Sequence, residues 1–155
     1  MFILGKLFRT INWVFQTRVA YAHCDVPCGI YDPHLAQIAA LTTVRMNQLI
    51  QDLPKSGRGE QEESKFARCI TVKEEQAELC KRELRILRGD YFKPEHLDKV
   101  PDLHTKVWET TKLAAANKQG VDLDAAKKLV DSVDSIASAF WSTKGIEYDD
   151  AVATV

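Results

Sequence analysis

The sequence predicts an all-α fold, an antiparallel four-helix bundle. Three observations predict it. Four segments carry apolar residues at helical spacing. The links between them are mostly short, which makes sequence neighbours antiparallel. The chain has 155 residues, 45% hydrophobic and 28% charged, which suits one soluble globular domain with a single core.

The chain opens with a basic, apolar stretch. Residues 1–22 hold Lys6, Arg9 and Arg18 and no acid, and end Ala20-Tyr21-Ala22. That ending has the form of a secretory cleavage site. The uncharged run between Thr10 and Thr17 is weakly hydrophobic and far too short to span a membrane. Residues 1–22 are expected to be a leader removed on maturation, leaving a domain over residues 23–155.

The first helix is predicted over residues 33–52. Asp32 serves as N-cap and Pro33 takes the first helical position. Leu35, Ile38, Ala39, Thr42, Met46, Leu49 and Leu53 fall on one face. Pro54 ends the helix. Residues 55–63, with Gly, Ser and mixed charges, are expected to form a solvated loop.

The second helix is predicted over residues 64–88. Phe66, Cys69, Ile70, Ala77, Cys80, Leu84 and Leu87 make its main stripe, and Val72, Leu79 and Ile86 a second line. A helix apolar on two sides suits a wide core or a subunit interface. Cys69 and Cys80 share a face and are read as buried structural thiols. Lys73 falls within the stripe and is read as an apolar stem with a solvated head. Gly89 is the expected stop. A structured turn over residues 90–94 then carries Tyr91 and Phe92.

The third helix is predicted from Pro101 or Asp102 to Asn117, with Leu103, Val107, Thr110 and Ala114 inward. The fourth is predicted over residues 123–143, capped by Asp122 or Asp124, with Leu129, Val133, Ile136, Ala137 and Phe140 inward. Residues 144–155 are expected to be frayed or extended. His34, His96 and His104 have no ligand partner at metal spacing and are read as structural or exposed.

One stretch carries the chemistry: His23-Cys24-Asp25-Val26-Pro27-Cys28-Gly29-Ile30-Tyr31-Asp32-Pro33. A Cys-x-x-x-Cys pair alone could be a disulfide, a zinc site or two unrelated thiols. The whole string is more specific. It resembles the nickel-binding hook of the nickel superoxide dismutase family. Further segments agree with that family's pattern: Lys73-Glu74-Glu75-Gln76-Ala77-Glu78-Leu79, Asp90-Tyr91-Phe92-Lys93-Pro94, Leu103-His104-Thr105 and Phe140-Trp141. The resemblance runs from about His23 to Gly145.

The resemblance implies a four-helix bundle with the hook at its N-terminus. It implies a leader peptidase that makes His23 the first residue, and one nickel per subunit held by His23, Cys24 and Cys28. It implies a homohexamer in which each hook packs on a neighbouring subunit, and a cytoplasmic location; export is the alternative, from the Ala20-Tyr21-Ala22 ending. The implied reaction is disproportionation of superoxide to oxygen and hydrogen peroxide, with nickel alternating between +3 and +2. Tyr31 is expected to act at the site, with Tyr91 near it. A packed aromatic with a tethered hydroxyl is the plainer reading of Tyr91. The sequence also departs from the family. Ala39 and Gln76 stand where a glutamate and an arginine often orient the axial imidazole.

The donor chemistry is coherent with that expectation. A cut before His23 frees an α-amine beside the Cys24 amide nitrogen, and these two close a five-membered chelate ring. The Cys24 amide nitrogen and sulfur close another. Cys28 reaches back across a turn built by Pro27 and Gly29. Two nitrogens and two sulfurs in a plane suit Ni(II) or Cu(II), whereas Zn(II) prefers a tetrahedron. His23 is then available from an axial position. Asp25, Val26, Pro27 and Tyr31 would shape the approach to the metal. Thiolate and amide donors are electron-rich and bring the Ni(III)/Ni(II) couple within reach of superoxide. The uncut chain offers no such amine.

Charge narrows the partners. The formal net charge is −1, and losing the three basic residues of the leader takes it to −4. A mildly acidic domain lacks the basic footprint of a nucleic-acid binder. Four cysteines without a regular framework do not make a disulfide scaffold. Two rival functions remain: a protein that stores or delivers nickel or copper without turnover, and a helical interaction module with structural zinc or no metal.

Overall fold

The computed structural model describes residues 29–148. Residues 1–28 and 149–155 lie outside the described residues, so the expected leader and the expected ligands His23, Cys24 and Cys28 fall there. The described chain is all-helical: α1 (His34–Gln51), α2 (Glu60–Ile86), α3 (Leu103–Gln119) and α4 (Leu123–Thr143). Between α2 and α3 lie a π-helical turn, Leu87–Tyr91, and a 3-10 turn, Pro94–Asp98. Each helix packs on its neighbour in sequence, and α1 closes the ring against α4. The four-helix bundle expected from the sequence is present. No helix among the described residues is long and apolar enough to cross a membrane.

The inward face of α1 differs from the expected one. Ala36, Ala39, Ala40, Thr43, Val44, Asn47 and Ile50 are buried, whereas Leu35 and Ile38 are 45% and 56% exposed. Two stripes at helical spacing compete on this helix. The bulkier one is the more apolar, but the alanine face lets the neighbouring helices approach closely, since interaxial distance is set by the side chains at the contact. The polar members of the buried face bond back to their own helix. Thr43 Oγ1 donates to the Ala39 carbonyl at 2.9 Å, and Asn47 Nδ2 to the Thr43 carbonyl at 2.9 Å.

Helix α2 starts at Glu60, inside the stretch expected to be loop. Glu60, Glu62 and Glu63 occupy its first turn, where carboxylates complement the positive helix end. The charges there mark a helix start, not a solvated coil. The Arg58 guanidinium lies 4.3 Å over the Phe66 ring and ties the preceding loop to the helix. Cys69 and Cys80 are both buried free thiols, as expected.

Lys73 is not a snorkelling side chain. It is 1% exposed, and its ammonium donates to the carbonyls of Asn117 at 2.5 Å and Lys118 at 3.0 Å. The last carbonyls of α3 lack intrahelical donors and sit at the negative helix end. An ammonium reaching across from α2 satisfies them. Burial lowers the Lys73 pKa from its usual value, and the neighbouring Glu74 carboxylate works against that.

Helix α4 begins where expected. The Asp122 carboxylate accepts from the backbone N–H of Asp124 at 2.9 Å and of Ala125 at 3.0 Å, so Asp122 and not Asp124 is the cap. Leu129, Val133, Ile136, Ala137 and Phe140 face the core. The tail is ordered further than expected. Gly145 takes φ +72°, and the Ile146 and Gly145 amides bond to the Trp141 and Ser142 carbonyls at 3.1 Å. This Schellman reversal turns the chain back onto the bundle.

Replacing Lys73 by Met is expected to cost about 1–3 kcal/mol, because the end of α3 is left with unpaired carbonyls. Thermal unfolding measures it, and an unchanged midpoint would mean that a solvated ammonium does no capping. Burial pushes the Cys80 thiol up to about 12 from an ordinary 9.0. Its folded form stays protonated while the unfolded chain ionises. The stability it lends is full below pH 9 and is lost as pH rises toward about 12. Peptide mapping after iodoacetamide treatment at pH 9 should find Cys80 unmodified in the native protein and alkylated after unfolding.

Candidate metal centre

The described chain enters just after the last expected ligand. Gly29 sits at φ +69°, a conformation costly for other residues. Ile30 is 75% exposed. The Asp32 carboxylate then accepts the backbone N–H of His34 at 2.7 Å and contacts its Nδ1 at 2.5 Å. Pro33 is buried with helical dihedrals, φ −79° and ψ −12°. The Asp-Pro start predicted for the first helix therefore ties residues 32–34 to the head of α1.

Tyr31, two residues into the described chain, meets Tyr91 with ring centroids 5.6 Å apart. They come from opposite ends of the site: Tyr31 precedes α1, and Tyr91 closes the π-helical turn after α2. Gly89 does not stop the helix, contrary to expectation. The backbone widens by one residue instead, with the Phe92 amide bonded to the Leu87 carbonyl at 2.9 Å. A π turn re-aims the side chains beyond it. Here it delivers Tyr91 onto Phe140, centroid to centroid 4.4 Å, and against His96 at 5.5 Å.

The Tyr91 hydroxyl has a settled role. Thr143 Oγ1 donates its single proton to the Phe140 carbonyl at 2.6 Å. Tyr91 must then be the donor in its 2.6 Å contact with Thr143 Oγ1. Its phenolic proton is committed to α4, and its oxygen retains accepting capacity. The plainer reading of Tyr91 holds: the ring is packed and tethered, and it lies beside Tyr31.

These groups surround a cavity of about 360 Å³ lined by Gly29, Tyr31, Asp90, Tyr91, Lys93 and His96. Lys93, exposed at its rim, supplies positive charge, and Asp90 the opposite sign. A second cation stands close by. The Lys144 ammonium lies 5.6 Å from the Tyr91 ring centroid, 4.6 Å from that of Phe140 and 5.5 Å from that of Trp141. Three aromatic faces hold it beside the cavity wall. Sequence reasoning missed Lys144, although it falls four residues after Phe140, at contact spacing on a helix.

His96 accepts the Lys93 backbone N–H through Nδ1 at 3.2 Å, so its neutral tautomer carries the proton on Nε2. Ala39 is fully buried in the core, so that position supplies no carboxylate. Gln76 is half-buried. The side chains of the expected donor set fit nickel: two thiols and an imidazole within six residues, one peptide bond from the cavity lip at Gly29.

The sequence model of the family described as nickel-containing superoxide dismutase matches residues 18–144. Superoxide dismutase [Ni] of Streptomyces coelicolor is 37% identical over 123 residues, covering 79% of this chain and 88% of the relative. The Streptomyces seoulensis protein of the same name gives the same figures. Among solved structures, native nickel superoxide dismutase superposes with a TM-score of 0.70 at 35% identity, covering 80% of this chain and all of the other. The apo form superposes at 0.66, with 32% identity and 76% of this chain covered. The matched region takes in the hook, the Tyr31–Tyr91 wall and all four helices, and the chain belongs to the nickel-containing superoxide dismutase family.

Proposed function

We propose that the chain is a nickel-dependent superoxide dismutase that converts two superoxide anions and two protons to oxygen and hydrogen peroxide. The observation that carries the reading is a tyrosine-walled cavity whose lip, Gly29, is the residue that follows the His23-Cys24-Cys28 string in the sequence. After removal of residues 1–22, His23 would hold the metal by its amine and imidazole, Cys24 by sulfur and backbone nitrogen, and Cys28 by sulfur. Nickel, when bound, supplies a one-electron couple that superoxide can both reduce and oxidise.

The residues of the chain supply the rest. Lys93 and Lys144 set a positive potential at the cavity, which attracts a small anion to an otherwise acidic domain. Tyr31 holds a bound anion or water by its hydroxyl. Tyr91 keeps its own proton on Thr143, so it orients a donor and does not give a proton. The α-amine of His23 must be unprotonated to bind, and a free α-amine has a pKa of about 7.7–8.0, so nickel loading weakens in acid.

Assembly and compartment belong to the same reading. Ile30, Leu35 and Ile38 put large apolar side chains in solvent around the start of α1. A homohexamer would cover them and seat each hook on a neighbour. Maturation by a leader peptidase in the cytoplasm agrees with the weakly hydrophobic leader, with export as the alternative.

Stopped-flow or pulse-radiolysis decay of superoxide tests the reading on nickel-loaded protein that begins at His23. Consumption should exceed that of an equal amount of free nickel. Cys28→Ser should keep the oligomer and lose nearly all of that activity. Decay no faster than with free nickel would make the chain a nickel-binding protein without turnover.

A further inference from the structure

We infer that residues 145–148 form an intramolecular brace for the base of the hook, with Tyr148 as its positioning residue. The inference rests on the reading of residues 23–28 as a nickel hook. These four residues lie past Lys144, where the family match ends. They are not a loose tail. The Gly145 reversal, possible at φ +72° because the residue has no Cβ, sends the chain back across the end of α4 toward α1.

Tyr148 makes contacts of two kinds. Its ring stacks on Trp141, centroids 6.3 Å apart and planes within 9°. Its hydroxyl accepts from Gln37 Nε2 at 2.6 Å. Gln37 is 1% exposed, and the same amide nitrogen donates to Asp134 Oδ1 at 2.7 Å, so the amide orientation is fixed from α4 and from the tail together. Both receivers lead to the start of α1. Gln37 is one turn past His34 on α1. The Trp141 ring meets the His34 ring edge-on at 6.1 Å. His34 in turn binds Asp32, the residue after Tyr31, through both its backbone N–H and its Nδ1.

The chain of contacts thus runs from Tyr148 through Trp141 and His34 to Asp32, with Gln37 anchoring the helix beneath. This chain has alanine at 39 and glutamine at 76, not the charged pair that often orients the axial imidazole. The brace acts further back, on residues 31–34, from which the hook continues in the sequence.

Hydrogen exchange, read by mass spectrometry on the full chain, compares wild type with Tyr148→Phe and Tyr148→Ala. The Ala variant loses stack and hydrogen bond, and amides of residues 29–37 should exchange about tenfold faster, with α2 and α3 unchanged. The Phe variant keeps the stack and should fall between. Wild-type rates at 29–37 in the Ala variant would overturn the brace; so would a uniform rise through the whole bundle, which marks general destabilisation. In protein matured to His23 and loaded with nickel, the Ala variant should also lose the metal faster to a chelator and shift the thiolate absorption bands, and an unchanged rate of loss would sever the brace from the hook. A wild type that never takes nickel refutes the hook itself, while the exchange rates still decide the brace.

Discussion

The contact between Tyr91 and Phe140 is the one on which the site depends. Phe140 is fully buried at the last turns of α4, and Tyr91 lies on it at 4.4 Å. That pair joins the turn after α2 to the end of α4. Since α1 closes against α4, the start of α1 is brought to the same place. Tyr31 meets Tyr91, His34 meets Trp141, and Lys144 rests over the rings. A cavity forms there between two short stretches, residues 29–31 and 90–96, which the fold brings together over one buried ring.

A metal site built from residues close together in sequence has its donors near one another and little to hold them. The residues that follow the expected donors are tied to the bundle. Here Gly29 turns the backbone, Asp32 caps, and Pro33 commits the chain to α1. The walls then determine what approaches. Under the proposed function, Lys93 and Lys144 would favour an anion and the two tyrosines would give it polar contacts in a confined space. The tethered Tyr91 hydroxyl keeps the aromatic wall in register with α4.

Much of this was legible in the sequence, for identifiable reasons. The fourth helix was read to the residue because Asp122 starts it and one stripe dominates. The first helix was placed correctly but its inner face was not, because periodicity weighs bulk and packing here favours alanine. Lys73 was misread because nothing local indicates that the end of another helix awaits its ammonium. The π turn was hidden behind Gly89, whose usual meaning is a stop. The expected donors, close together in sequence, mark a stretch as chemistry, but they lie outside the described residues. Tyr91 could be placed beside Tyr31 through the family resemblance alone, whereas Lys144 and Tyr148 come to this end of the bundle only through the fold.

Native mass spectrometry of protein produced in its own host with nickel supplied tests the central claim most directly. The account predicts a subunit whose first residue is His23, carrying one nickel, in an assembly of six. Subunits that begin at His23 in nickel-replete cells and yet carry no nickel would contradict it.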